Sequence, residues 1–503
     1  MHEAPLLCRL LWGTFLAEKR KVQEIDKLKF ETQTEREINT VSLKSLFSAK
    51  DMTQGSPAAR IMEFAIPMLI GNFAQQLYNT ADSIIVGKFV GDNALSAVGS
   101  ASPILNMLLA LFVGVATGAG IVISQSFGAK DREALSRCIG NCISLAVVGA
   151  VIIMIVGPLL TMPMLELLGT PESIIYWCAD YLNIFFYGII GFFMYNMLSG
   201  VLRGMGDSLS ALGFLLIAAA LNVVLDLVFV AKFNMGVPGV ALATIMAQAI
   251  SAVLCFIKIM RMGDLFDLNW STVKIHGPTA KRIIFLGVPS GITQAIMAMA
   301  QMVVQTLTNS MGEMVIACMV IIMRVDGFAM MPNFTFGQAM GVYTGQNVGA
   351  GRKDRVALGC KQGLLMAVST STVLTVLILI FGRTLFGFFT ETPHLINMAY
   401  KMMTLMAFGY VCMSVTQVLG GVMRGAGDTV TPMWISIFTT IIIRVPAAYT
   451  IAHLTTSVRW PHGEPWALGG SLLIAWTLGA VAQALAYKFG PWRKKMELSM
   501  DRD

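Results

Sequence analysis

Gly200-Val-Leu-Arg203-Gly204-Met-Gly206-Asp207-Ser208 returns, with six of nine positions identical, as Gly421-Val-Met-Arg424-Gly425-Ala-Gly427-Asp428-Thr429, 221 residues further on. Three other matches keep the interval. Gly120-Ile-Val-Ile-Ser-Gln125-Ser-Phe-Gly128-Ala129 answers Gly341-Val-Tyr-Thr-Gly-Gln346-Asn-Val-Gly349-Ala350, and Tyr187-Gly188 answers Phe408-Gly409, both at 221; Thr170-Pro171 answers Thr392-Pro393 at 222. One register shared by four matches divides the chain into two homologous halves.

The text around these repeats is that of a membrane-spanning protein. Hydrophobic residues make up 55% of the 503 and charged residues 13%, too few charges to cover a soluble globule of this size. Apolar runs alternate with short loops, and about 20 helical residues cross a bilayer. The runs predict an all-α polytopic fold of twelve transmembrane helices in two six-helix lobes: 61–86, 94–125, 134–160, 174–198, 210–231 and 238–260, then 283–308, 314–345, 357–381, 396–421, 432–455 and 467–489. The organisation follows: 1–56 an N-terminal extension, 57–262 the N-lobe, 263–282 a cytoplasmic linker, 283–490 the C-lobe, and 491–503 a cytoplasmic tail. The extension does not match the rest. Leu6–Ala17 is apolar but broken by Arg9, and Glu18–Glu37 is densely charged with mixed sign. The expected native start is Met52, with residues 1–51 upstream sequence or a disordered addition.

The net charge of +7 is read by location. One set of loops carries 14 basic residues: Lys130, Arg132 and Arg137; Arg203; Lys258, Arg261, Lys274, Lys281 and Arg282; Arg352, Lys353, Arg355 and Lys361; and Arg424. The other set carries Lys88, Lys232, Arg383 and Arg459. The positive-inside rule then predicts a multi-pass protein of the cell (inner or plasma) membrane with both termini cytoplasmic. With six spans per half the copies point the same way, related by an axis along the membrane normal.

Enzyme chemistry finds no footing. GxxxxGK[ST], HExxH, GxSxG and DDxxD patterns are absent, and the five histidines are scattered. The eight cysteines form no CxxC and no Cys/His cluster, so they read as buried thiols. What stands out is ionisable residues within apolar runs, which are costly there and functional by default. Asn72, Gln75, Asn79 and Asp82 share one face of the first helix. Asn222 and Asp226 are an i, i+4 pair on the fifth. Asp82 precedes Lys88 by six residues and Asp226 precedes Lys232 by six, which puts both acids about 9 Å below the same edge. Two such carboxylates cannot both stay ionised cheaply unless a cation sits between them, as a proton- or sodium-coupled carrier requires. In the second half Arg324, Asp326 and Arg444 lie near mid-membrane, and an Asp326–Arg444 bridge is the expected pairing. Gln75, Asn79, Asn183, Asp326 and Arg444 are the expected substrate-cavity residues. Each Arg-Gly-x-Gly-Asp reads as a tight turn whose Asp caps the next helix, and the Gln-x-x-Gly-Ala endings read the same way. Methionine, 35 residues of it, suits an adaptable pocket as well as ordinary packing.

The twelve spans in two halves, the paired turns Arg203–Asp207 and Arg424–Asp428, the endings Gln125–Ala129 and Gln346–Ala350, and Pro67 and Pro289 resemble the multidrug and toxic compound extrusion (MATE) family over about Met52 to Lys495. The resemblance implies two lobes around a central cavity and export of amphipathic organic cations in exchange for protons or sodium. It also implies a cation or proton-coupling site, and any bound sodium, at Asp82, Asn222 and Asp226. Some members use a helix-7 carboxylate, but here that helix carries Gln294, Gln301 and Gln305 and no acid. No cofactor beyond the coupling ion is expected. The expected partners are small-molecule organic cations and the bilayer, with no nucleic acid, and the chain is expected to act as a monomer. The alternative is a flippase of lipid-linked precursors, for which Arg324 and Arg444 would supply the cationic cavity.

Overall fold

The computed structural model describes residues 48–90, 92–167, 169–269 and 272–500. Several side chains between 78 and 103, those of Asn79 and Asp82 among them, lie outside the described set, as does the chain before Ser48. The twelve expected helices are all present, with ends within seven residues of the predicted ones. The N-lobe holds α1 (Pro57–Phe89), α2 (Asp92–Ala129), α3 (Arg132–Leu167), α4 (Glu172–Tyr187 and Ile189–Gly204), α5 (Ser208–Asp226 and Leu227–Lys232) and α6 (Gly236–Met260). The C-lobe holds α7 (Gly277–Ser310), α8 (Glu313–Gly349), α9 (Lys353–Gly387), α10 (Pro393–Gly425), α11 (Val430–Ile437, Phe438–Arg444 and Val445–Leu454) and α12 (Trp466–Phe489). Over the described residues, ten of the helices are long and apolar enough to cross a membrane, eleven with the bent α4 counted as one span.

Three of the helices are not straight and regular. α4 changes direction by 55° at Gly188, whose backbone lies so close to Ile245 of α6 that a Cβ would collide with it. α5 and α11 each contain a π-helical stretch, Leu227–Lys232 and Phe438–Arg444. Such widened turns interrupt the regular ladder and are frequent at functional sites. One begins directly after Asp226 and the other ends on Arg444.

Both repeated turns behave as their residues dictate. Gly206 and Gly427 take φ of +83° and +91°, a left-handed conformation open to glycine. Asp207 Oδ1 accepts from Ser210 N at 2.9 Å, and Asp428 Oδ1 accepts from Thr431 N at 3.3 Å, capping α5 and α11. After the Gln-x-x-Gly-Ala endings the chain turns at equivalent left-handed positions, Lys130 (φ 58°) and Gly351 (φ 66°).

Two different seams fasten the lobes. Gly114 and Gly118 of α2 cross Gly287 and Gly291 of α7 so closely that a Cβ on any of the four would meet backbone of the other helix at less than 3 Å. Both are GxxxG sequences, and small residues at this spacing let helix backbones touch inside a membrane. Ile283 and Leu286, near the start of α7, are thereby buried in the N-lobe core. The start of α1 does the converse: Ile61, Phe64 and Met68 pack in a core with Tyr343, Met340 and Val422 of the C-lobe. Higher up, side chains make the α1–α8 seam, where Asn72 Nδ2 donates to Thr335 Oγ1 at 3.0 Å and the rings of Phe73 and Phe328 lie 5.6 Å apart.

The face bearing the basic loops is covered by three further pieces. Lys50 to Gly55 is a strap in which Met52 is fully buried; Lys50 N donates to Met205 O at 3.1 Å, and Arg355 donates to the carbonyls of Met52 and Gly55. The linker is held by Arg132, whose guanidinium bonds both Asp267 carboxylate oxygens at 2.8 Å and the carbonyls of Gly263 and Asp264. That hydrogen-bonded guanidinium holds the Asp267 carboxyl below the usual carboxylate range. The segment expected as a tail forms a short helix, α13 (Trp492–Met500), tied to the turn by Lys495 Nζ donating to Asp428 Oδ1 at 2.8 Å.

Candidate functional site

Asp226 is fully buried at the point where α5 widens, and Asn222 one turn earlier is 1% exposed. Turned so that its amide nitrogen faces the acid, Asn222 donates to Asp226 Oδ2 at 2.8 Å. Its oxygen then accepts from Thr244 N at 3.2 Å and Thr244 Oγ1 at 3.3 Å, on α6. The opposite orientation would set the amide oxygen against a carboxylate oxygen. The expected i, i+4 pair is therefore a bonded unit, completed by a threonine that the sequence did not single out. α1, which carries Asp82, packs against α5, with Gly71 lying over Leu212 and Leu215; the Asp82 and Asn79 side chains lie outside the described set.

The C-lobe charges are arranged otherwise than expected. Arg444 Nη2 donates to Gln301 Oε1 of α7 at 2.8 Å, and no ion pair within 4 Å joins it to Asp326 among the described residues. Asp326 faces Tyr410 of α10, with its Oδ1 buried and without a hydrogen-bond partner. Arg324 is exposed on α8. The Asp326–Arg444 bridge is thus replaced by a contact between α11 and α7, because the π-helical stretch carries Arg444 to its end beside Gln301.

Between the lobes, toward the basic face, lies a cavity of about 450 Å³, within the size range of small-molecule sites. Its apolar wall includes Phe64, Met68, Met297 and Phe334; its polar wall includes Asn196, Ser290, Gln294, Gln338 and Gln417. Two arginines face into it, Arg203 and Arg424, and no Asp or Glu is among the described lining residues. Of the expected cavity residues, Gln75, Asn183, Asp326 and Arg444 are outside this wall, and Asn79 is outside the described side chains. Asn183 instead accepts from Thr161 Oγ1 of α3 at 2.9 Å. The turn reading accounted for the glycines and aspartates of each Arg-Gly-x-Gly-Asp but not for its arginine. The available signal was that a tight turn needs no arginine, yet both copies keep one.

Below the cavity the glutamines of the other repeat cross between lobes. Gln125 Nε2 donates to Gly425 O at 2.8 Å, and Gln346 Nε2 donates to Gly204 O at 3.2 Å. Their oxygens accept from Arg282 Nη2 at 2.6 Å and from Met52 N at 2.8 Å. Gly128 and Gly349, next along each helix, lie against the backbones of Gln346 and Gln125 with no room for a Cβ. Each ending therefore terminates its helix and also grips the glycine turn of the opposite lobe.

Known proteins agree with this architecture. The family model MatE matches residues 67–228 and 289–450. The chain is 28% identical over 460 residues to the probable multidrug resistance protein YpnP of Bacillus subtilis (strain 168), covering 90% of this chain and all of that one. It is 26% identical over 400 residues to the probable multidrug resistance protein YoeA of the same organism, covering 78% and 86%. A solved structure described as the outward-facing conformation of a multidrug resistance MATE family transporter of the MOP superfamily superimposes with a TM-score of 0.81 at 21% identity, over 90% of this chain and 99% of that one. With twelve helices in two repeated lobes around a central cavity, and the family model matching once in each half, the chain belongs to the MatE family of multidrug efflux transporters.

Proposed function

We propose that the protein exports amphipathic organic compounds, cationic ones among them, in exchange for protons or sodium, and that Asp82, Asn222 and Asp226 couple the two movements. The observation that carries this reading is Asp226, a fully buried acid inside a membrane span, bonded to an amide that serves either charge state. When Asp226 is ionised, Asn222 donates to it; when it is protonated, its O–H donates to the turned amide oxygen. A sodium ion would instead take oxygens from Asp226, Asn222 and Thr244. Either event changes the charge beside the widened turn of α5, and α1 packs on that helix. The coupling event thereby biases how α1 sits between its own lobe and the C-lobe core that holds its first turns. In this reading the basic face is cytoplasmic, the protein lies in the plasma membrane with both termini inside, and the Gln125 and Gln346 bonds close the inner side while substrate leaves outward. Cationic substrates would find their counter-charge at the N-lobe acids.

The test is transport of a fluorescent organic cation by the reconstituted protein with proton and sodium gradients imposed separately. One gradient should drive uptake, and Asp82→Asn and Asp226→Asn should each abolish the response while the proteins still insert. Undiminished gradient-driven transport by both variants would end the coupling proposal. The flippase reading relied on Arg324 and Arg444 for its cationic cavity, and neither is in the cavity wall.

A further inference from the structure

The central cavity has the wrong polarity to be a simple cation site. Arg203 and Arg424 are the copies of one residue in the two halves, both line the cavity, and neither guanidinium has a hydrogen bond or ion pair with a described residue. The acids nearest in sequence are already engaged: Asp207 caps α5 and lies 3.8 Å from Lys258, and Asp428 caps α11 and binds Lys495. Arginine at a helix C-terminus can be steadied by the free carbonyls. Arg424 does not take that course, since its Nη1 lies back along α10, 3.3 Å from where a Cβ of Gly420 would stand.

Two hydroxyls lie in residues of the same wall. Ser290 Oγ on α7 and Thr429 Oγ1 at the start of α11 are buried and have no hydrogen-bond partner. Asp428 caps α11, which leaves the Thr429 side chain without a capping bond, and the positive end of that helix adds to the potential of the arginines. Buried donors without acceptors are rare and call for an explanation. Two guanidiniums and a helix start, with no carboxylate among the described wall residues, make a donor-rich site.

We propose that this cavity is an anion-binding subsite, in which Arg203 and Arg424 together grip a phosphate or similar tetrahedral oxyanion while Phe64, Met68, Met297 and Phe334 hold an attached apolar chain. Arginine is suited to this because its planar fork donates two parallel bonds to one oxyanion. The substrate class is therefore widened to amphipaths with an anionic or zwitterionic head. The site is separate from the Asp82–Asp226 coupling site, and the proposal holds whether or not that coupling does.

The experiment uses the full-length protein in nanodiscs of neutral lipid, with equilibrium binding of radiolabelled octyl phosphate, inorganic phosphate and octyltrimethylammonium. Octyl phosphate should bind. Arg203→Gln and Arg424→Gln should each weaken that binding by about tenfold or more, the loss expected for a charge-assisted bond, and raised salt should weaken it too. Arg203→Lys, which keeps the charge, should retain more binding than Arg203→Gln and guards against misfolding as the cause. Competition with inorganic phosphate and with vesicles containing polyprenyl phosphate separates the sources: displacement by the first alone assigns a free anion, and displacement by the vesicles assigns a lipid headgroup. Octyl phosphate affinity equal in the wild type and in folded Arg203→Gln and Arg424→Gln, or no octyl phosphate binding at all, would overturn the proposal.

Discussion

α5 and α11 occupy corresponding places in the two lobes, and both pass through a π-helical stretch, but they bring opposite charges to it. On α5 the acid Asp226 stands just before the widened turn and is satisfied from within its own lobe, by Asn222 and Thr244. On α11 the base Arg444 ends the widened turn and reaches to Gln301 of α7. A carboxylate can exchange its charge for a proton or pair with a cation, whereas a guanidinium is a fixed positive charge. Under the proposed coupling, the N-lobe holds the part that senses ions and the C-lobe the part that stays fixed. The residues that both lobes need at once, Arg203 with Arg424 and Gln125 with Gln346, were kept in both copies.

The largest break in this comparison should come from exchanging charge for a neutral isostere in each lobe. Asp226→Asn is expected to bring gradient-driven export down to the level of protein-free vesicles. Arg444→Gln should keep its response to the gradient and lose less than about tenfold in rate, the weight of one charge-assisted hydrogen bond. Loss of ion dependence in Arg444→Gln alone would reverse the assignment of roles.

The two seams offer the next contrast. Gly287→Leu drives a side chain into the backbone of Gly114 and Val115, which cannot yield. It should destabilise the protein by about 3 kcal/mol or more, seen as a large fall in unfolding temperature or in accumulation. Asn72→Leu, on the seam built from side chains, should cost about 1 kcal/mol. Gln125→Leu and Gln346→Leu sharpen the comparison where the copies agree. Each should favour opening at the basic face by about 1–2 kcal/mol, read as faster alkylation from that side of a cysteine placed at Ser436 in the cavity wall. Similar effects would show that the copied glutamines work as equals. The smallest change concerns Lys130, left-handed where the other half has Gly351. Lys130→Gly should raise stability by up to about 1 kcal/mol, measurable by thermal unfolding.

Much of the fold was legible in the chain because apolar length and repetition are local signals. The interval set by Arg203–Asp207 and Arg424–Asp428 gave the two halves, and the runs between gave helix ends to within seven residues. Asn222 and Asp226 could be paired because they lie one turn apart on one helix. What stayed hidden depends on partners distant in sequence. The bend at Gly188 comes where its backbone lies against Ile245 on α6, and Arg444 reaches Gln301 from the end of a widened turn that no residue in Phe438–Arg444 announces. Arg203 and Arg424 were masked by their own neighbours, since the glycines and aspartate beside them already explain a turn.

The crossed rooting of α1 and α7 also sets an order of assembly. The start of α7 is made after the N-lobe and finds the glycines of α2 already in place. The start of α1 is made first, and its core partners, Met340, Tyr343 and Val422, belong to the half still to come. Met52 and Gln346, which are hydrogen-bonded, are 294 residues apart. At cellular rates of synthesis that gap lasts roughly 15–60 s. Through that interval the newborn N-lobe carries the bare faces of Ile61, Phe64 and Met68 at the membrane boundary, so the protein becomes whole only when its second half arrives to take them.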